Sequence, residues 1–187
     1  PDISPDGSTL YYSKDVTPGL TFEYNKDPNG TIYAILGRDL VTGRERRAVS
    51  VQGGSVAPQV SPDGKSLAYV RRVRLQSFLY VRDLESGRDR RVFGNIDKDL
   101  QEAWAIHGLY PQYAWTPDGK SIVIWGEGKL WRVDVASGRA RPWNRLGLSA
   151  PSGLRGQYRV LVTPDGESYA YGFGRRESDL YLTSPLK

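Results

Sequence analysis

Ser61-Pro62-Asp63-Gly64-Lys65-Ser66-Leu67-Ala68-Tyr69-Val70 reads as a tight turn running into a short apolar strand, and the chain writes it more than once. The tetrapeptide at its head returns as Ser4-Pro5-Asp6-Gly7, Thr116-Pro117-Asp118-Gly119 and Thr163-Pro164-Asp165-Gly166, with successive copies 57, 55 and 47 residues apart. Proline presets φ at about −65° for the second turn position, Asp can bond the local backbone from the third, and Gly accepts positive φ at the fourth. A second motif follows in the first three copies: Arg38-Asp39-Leu40-Val41-Thr42-Gly43-Arg44, then Arg82-Asp83-Leu84-Glu85-Ser86-Gly87-Arg88, then Val133-Asp134-Val135-Ala136-Ser137-Gly138-Arg139. Its Ser/Thr-Gly pair is a hairpin turn into an Arg-rich last strand. Two motifs recurring in one order mark an internal repeat.

Around these turns the sequence predicts strands at 10–13, 67–70, 122–125 and 169–172, preceded by strands at 58–60, 112–115 and 157–162. Further strands at 78–84 and 129–135 lead through the second motif into 88–93 and 139–143. One unit is thus four antiparallel strands in about 45 residues, the period of a propeller blade. No long segment shows a helical period, so helices are minor. The middle strands are apolar on both sides, as in Leu67-Ala68-Tyr69-Val70 and Ile122-Val123-Ile124-Trp125. A sheet packed between two neighbours needs this, whereas a two-layer sandwich would show clean alternation. The expected fold is an all-β propeller domain with blades near 1–54, 55–97, 98–144 and 145–187. The first blade begins inside its first strand and the last stops after its third, so a partial ring is expected, with open edges able to self-associate.

Composition narrows the function classes. The 187 residues contain no Cys and no Met, which excludes a disulfide scaffold, a zinc ribbon and a thiol nucleophile. No apolar run reaches the length of about 18 residues that a membrane-spanning helix needs. The net charge of +5 comes from 26 basic and 21 acidic residues that interleave along the chain, unlike the segregated charge of a nucleic-acid binder. Neither membrane insertion nor nucleic acid is expected. A single histidine, His107, cannot furnish a hydrolytic metal site, and no Gly-x-Ser-x-Gly elbow or phosphate loop occurs. The chain therefore reads as non-catalytic and free of cofactors.

The Ser/Thr-Pro-Asp-Gly turn, the aromatic-rich second strand and the Asp-Leu-x-Ser/Thr-Gly-Arg hairpin resemble the TolB-like, WD-like repeats of bacterial propellers over essentially the whole chain. The stretch Leu100-Gln101-Glu102-Ala103-Trp104-Ala105-Ile106-His107-Gly108-Leu109-Tyr110-Pro111, running into residues 112–125, is similar to the N-terminal propeller ahead of the catalytic barrel in some metal-dependent amidohydrolases. The tail Ser178-Asp179-Leu180-Tyr181-Leu182 is similar to the end of propellers appended to bacterial receptor-like kinases. These resemblances imply a periplasmic or secreted protein, and the second implies a parent enzyme of the amidohydrolase type.

Candidate binding residues fall on the loops of one face. The connection 94–111 is long enough to be functional and carries Glu102, Trp104, His107 and Tyr110, able to stack on and hydrogen-bond a peptide. Within it, Asn95, Asp97 and Asp99 alternate as calcium ligands would, although an EF-hand loop wants Gly and Glu where Leu100 and Ile106 stand. A second long connection, 14–30, carries Leu20, Phe22 and Tyr24. Arg71, Arg72 and Arg74 are expected in the equivalent loop of blade two, and Arg175 and Arg176 in that of blade four, where they could attract an acidic peptide. The expected role is recognition of a protein or peptide, or control of access to a fused hydrolase domain.

Overall fold

In the computed structural model the described residues, 1–16, 33–73, 76–95, 112–126, 129–145, 154–162, 168–175 and 178–179, are strands and turns with no helix among them. Blade one is β1 (Asp2–Ile3), β2 (Thr9–Asp15), β3 (Tyr33–Asp39) and β4 (Glu45–Val49). Blade two is β5 (Ser55–Val60), β6 (Ser66–Val73), β7 (Gln76–Asp83) and β8 (Asp89–Asn95). Blade three is β9 (Gln112–Trp115), β10 (Ser121–Gly126), β11 (Lys129–Asp134) and β12 (Ala140–Arg145). Each is an antiparallel meander in chain order. These three blades form one compact unit, Pro1–Arg145. A second unit, Leu146–Lys187, holds an antiparallel pair, β13 (Leu154–Val162) and β14 (Tyr169–Arg175). The turn at 163–166 and the expected third strand of blade four lie outside the described residues.

The repeated turns fold alike because the same groups close them. The amides of Gly7, Gly64 and Gly119 donate to the carbonyls of Ser4, Ser61 and Thr116 at 2.8, 2.9 and 2.9 Å, with glycine φ of 72°, 72° and 66°. The hydroxyls of Ser4, Ser61 and Thr116 donate to Asp6, Asp63 and Asp118, and each accepts the amide five residues on. In the second motif Asp39, Asp83 and Asp134 accept the amides of Thr42, Ser86 and Ser137, each at 2.7 Å. One bond ties the two motifs together in each of blades one to three. The amides of Leu40, Leu84 and Val135 donate to the carbonyls of Ser8, Lys65 and Lys120. Side-chain closure of this kind lets a short segment form its turn without help from distant packing.

Packing then stacks the blades. Leu67 and Tyr69 point into a cluster with Tyr11, Ile35, Ala48 and Val49 of blade one. Ala68 and Val70, alternating with them on β6, join Leu79, Val81 and Val92 in a second cluster with Tyr113, Ile122, Ile124 and Val133 of blade three. All four β6 residues are completely buried, so both faces of blade two are interior. A buried aliphatic side chain contributes roughly 1.5–3 kcal/mol, and the two such faces of blade two replace the single core of a sandwich. The innermost strands also bond to one another: the Val60 amide donates to Asp2, Gln59 donates to the Tyr113 carbonyl, and Trp115 Nε1 donates to the Gln59 carbonyl. Between them Ala57 has φ 53°, at a bulge where the pairing of β5 and β6 shifts; its amide takes the Ser13 hydroxyl as acceptor and its carbonyl accepts from Tyr113.

Candidate functional site

Period two along β7 puts Phe78, Tyr80 and Arg82 on one side of blade two, the side that faces blade one, while Leu79 and Val81 face blade three. Cross-strand pairing brings Tyr69 of β6 opposite Tyr80, and Arg91 and Asp89 of β8 opposite Tyr80 and Arg82. The Tyr69 and Tyr80 rings stack with centroids 5.8 Å apart. The Arg71 guanidinium lies over Tyr80, 5.4 Å from its centroid, and that of Arg91 lies over Phe78 at 4.9 Å. Two cations thus cross two rings that are neighbours on one strand, an arrangement held by the ring quadrupoles.

Arg82 is used differently. It grips Asp89 with a fork, Nε to Oδ1 at 2.8 Å and Nη2 to Oδ2 at 2.6 Å, and Nη1 donates to the Ala48 carbonyl of blade one. Burial tends to raise the Asp89 pKa, but the Arg82 fork, the Tyr69 hydroxyl and the charges of Arg82 and Arg71 outweigh it and hold the carboxyl below its ordinary value. The Tyr69 phenol is pushed up, first by burial and then by the Asp89 charge. Arg71 and Arg91 make no ion pair among the described residues, and Arg71 Nε is buried without a hydrogen-bond acceptor. Among the described residues the cluster thus holds two guanidiniums with no carboxylate at ion-pair distance, beside one that is fully engaged. Such a group can accept a carboxylate or another planar anion.

Arg71 and Arg72 are not in a loop, as expected from the sequence, but inside β6. The strand runs on to Val73 because β7 pairs with it as far as Val73↔Gln76. Arg72 is 3% exposed, and the chain entering blade two passes directly beside it. Its amide donates to the Gly54 carbonyl, and a Cβ on Gly53 (φ 85°) would collide with the Arg72 carbonyl oxygen. Arg72 is thus a wall of the blade rather than a presented charge. Arg175 likewise ends β14, paired with Leu154, instead of lying in a loop. Glu102, Trp104, His107, Tyr110, Arg74 and Arg176 lie outside the described residues, as do Asp97, Asp99 and residues 17–32; Asn95 closes β8. Among the described residues no three His, Cys, Asp or Glu side chains gather as a metal site. Phe78, Tyr80 and Arg91 escaped the sequence reading, although the alternation Phe78, Tyr80, Arg82 carries the signal.

No family model matches the chain. Among curated proteins it is 28% identical over 148 residues to dipeptidyl-peptidase 5 of Porphyromonas gingivalis, covering 74% of this chain and 19% of that protein. Among solved structures, TolB from Acinetobacter baumannii superposes with a TM-score of 0.63 at 23% identity, over 91% of this chain and 36% of that one. A puromycin-hydrolyzing peptidase of Mycobacterium tuberculosis superposes with a TM-score of 0.55 at 19% identity, over 92% of this chain and 27% of its own. The chain therefore spans about a fifth of the curated relative and about a third of the TolB structure it matches. Its fold is that of the TolB-like β-propellers.

Proposed function

We propose that this chain is a non-catalytic propeller module that holds peptide or protein segments, in a parent protein of the peptidase kind, and that Arg71 and Arg91 over Tyr80 and Phe78 contact their acidic groups. The observation that carries this reading is the match to a dipeptidyl-peptidase of which the chain spans only 19%. A segment of that share, built of stacked four-stranded sheets, serves such a protein by selecting what reaches its active site. The two guanidiniums supply the selection chemistry, since among the described residues neither has an ion-pair partner that an incoming carboxylate would displace. A periplasmic setting belongs to the same proposal.

The test is calorimetric titration of the purified chain with a Glu-rich peptide and with a Lys-rich peptide of equal length. The Glu-rich peptide binds more tightly, and Arg71→Ala with Arg91→Ala weakens it by about tenfold, equivalent to about 1.4 kcal/mol. Equal binding of the two peptides removes the acidic-group assignment. Turnover of a dipeptidyl chromogenic substrate by the chain itself removes the non-catalytic one.

A further inference from the structure

The combination of Arg71, Phe78, Tyr80 and Arg91 belongs to blade two alone among the three described blades. By offset from the repeated turns and by strand register, their equivalents in blade one are Lys14, Ala34, Leu36 and Arg47, which keep two cations and lose both rings. In blade three they are Gly126, Lys129, Trp131 and Pro142, which keep one ring and lose both arginines. The same face of blade two departs from the third repeat once more, with Tyr69, Arg82 and Asp89 as a polar set where blade three has Ile124, Val133 and Ala140. That set has a structural use, since Arg82 joins Asp89 to the Ala48 carbonyl of blade one. Arg71 and Arg91 have no such use among the described residues: each lies over a ring, with no carboxylate at ion-pair distance. An arginine that covers a ring face keeps its N–H donors in the guanidinium plane, where a carboxylate takes two of them.

The spacing of the two cations sets what they can hold together. Arg71 pairs across the sheet with Phe78 but lies over Tyr80, and Arg91 pairs with Tyr80 but lies over Phe78. Both thus reach onto β7 from its two sides, above rings that stand two residues apart, about 6.8 Å along an antiparallel strand. Arg91 is exposed and Arg71 half-buried. An extended peptide repeats its side chains on one side at the same interval and turns the residue between them to the other side. We infer that the site takes an extended segment with acidic side chains two residues apart, Asp/Glu-x-Asp/Glu, one carboxylate to each arginine; this rests on the reading of Arg71 and Arg91 as contacts for acidic groups. Acidic residues that are adjacent or three apart point to opposite sides of an extended chain and engage one arginine only. A helical segment would instead bring together residues four apart.

The test is calorimetric titration of the 187-residue chain with peptides of equal length and charge, each carrying two Glu in a Ser-Thr background. The two Glu are adjacent, two apart, three apart or four apart. The peptide with Glu two apart binds about fivefold more tightly or better than the other three, because its second contact is made within one complex. Arg71→Gln and Arg91→Gln, taken singly, each bring it down to the affinity of the others. Arg91 is exposed, so Arg91→Gln decides the matter where Arg71→Gln does not fold. Equal affinities of the four Glu peptides, all above that of a Lys peptide, overturn the spacing and leave the acidic reading standing. Tightest binding with Glu four apart, or a preference for two apart that survives Arg91→Gln, overturns the spacing as well. A Lys peptide that binds as tightly as the best Glu peptide overturns both readings.

Discussion

The two blade interfaces of the unit Pro1–Arg145 are built from one repeat by opposite chemistry. Between blades one and two, an apolar centre of Tyr11, Ile35, Val49, Val60, Leu67 and Tyr69 is bordered by the Arg82–Asp89 pair, which reaches across to Ala48. Between blades two and three, Ile124 and Val133 stand where Tyr69 and Arg82 stand in blade two, and the apolar cluster is larger. The cross-blade arginine there is Arg90, which donates to the carbonyls of Val135 and Ala136. The difference teaches that a blade can dock by burying aliphatic area or by satisfying a charge pair against a carbonyl. The first resists loss of volume, and the second resists loss of a single partner.

Transplanting the polar set into the apolar interface gives the largest expected effect. Ile124→Tyr with Val133→Arg and Ala140→Asp forces a phenol and a guanidinium into the completely buried positions of Ile124 and Val133, and costs about 4 kcal/mol or more in urea unfolding. A loss below about 1 kcal/mol would show that the interface chooses its chemistry freely. Ile124→Ala follows, at about 3 kcal/mol, because it leaves a cavity among completely buried neighbours. Arg82→Ala costs about 2 kcal/mol by stranding Asp89 beside Tyr69, in side chains that are only 20% and 21% exposed before the change. The reverse swap, Tyr69→Ile with Arg82→Val and Asp89→Ala, stays within about 1 kcal/mol of the parent protein, because removing the whole set strands no charge and costs only the Arg82 bond to the Ala48 carbonyl. If the triple variant is as weak as Arg82→Ala, the pair contributes by attraction rather than by mutual satisfaction.

Acid provides the smallest and most discriminating effect. Asp6, Asp63 and Asp118 are held below the ordinary value of 3.8, first by the hydroxyls of Ser4, Ser61 and Thr116. Asp39 and Asp83 are held there first by the amides of Thr42 and Ser86, and Asp134 first by the Ser137 hydroxyl. Depressed carboxyls bind fewer protons in the folded chain than in the unfolded one. Their stabilisation is fully present above 3.8 and is lost as pH falls through the lower folded values. These six turns are shared by all three blades and loosen together. Asp89, also depressed, belongs to interface one–two alone. Below pH 3.8, amide protection at Ala48 and Arg82 therefore falls before protection at Ile124 and Val133. Loss in the opposite order would break the assignment of charge to the first interface and oil to the second.

The blades themselves were legible because their turns close locally. Pro-Asp-Gly and Asp-x-Ser/Thr-Gly satisfy their hydrogen bonds within a few residues, so pattern and structure coincide at each of the three described copies. Strand ends were less legible: β6 continues through Arg71 and Arg72, which the sequence placed in a loop, because pairing with β7 carries an extended chain past its apolar core. The site was mostly hidden. Arg71, Tyr80, Arg91 and Phe78 belong to three strands, and their meeting depends on cross-strand register that no single window of sequence contains. Arg71 was singled out for its charge, yet what distinguishes it from Arg82 is the partner each one has.

Sequence alone decided the repeat, the strand count of a blade and the propeller class, since these follow from short-range turn chemistry and from apolar residues on both sides of the middle strands. Tertiary structure alone decided which arginines are engaged and which are available, and which blade faces attract by charge or by area. A side chain's desolvation and partners are set by the neighbouring blade, about 55 residues away in the chain, and reach it only through packing.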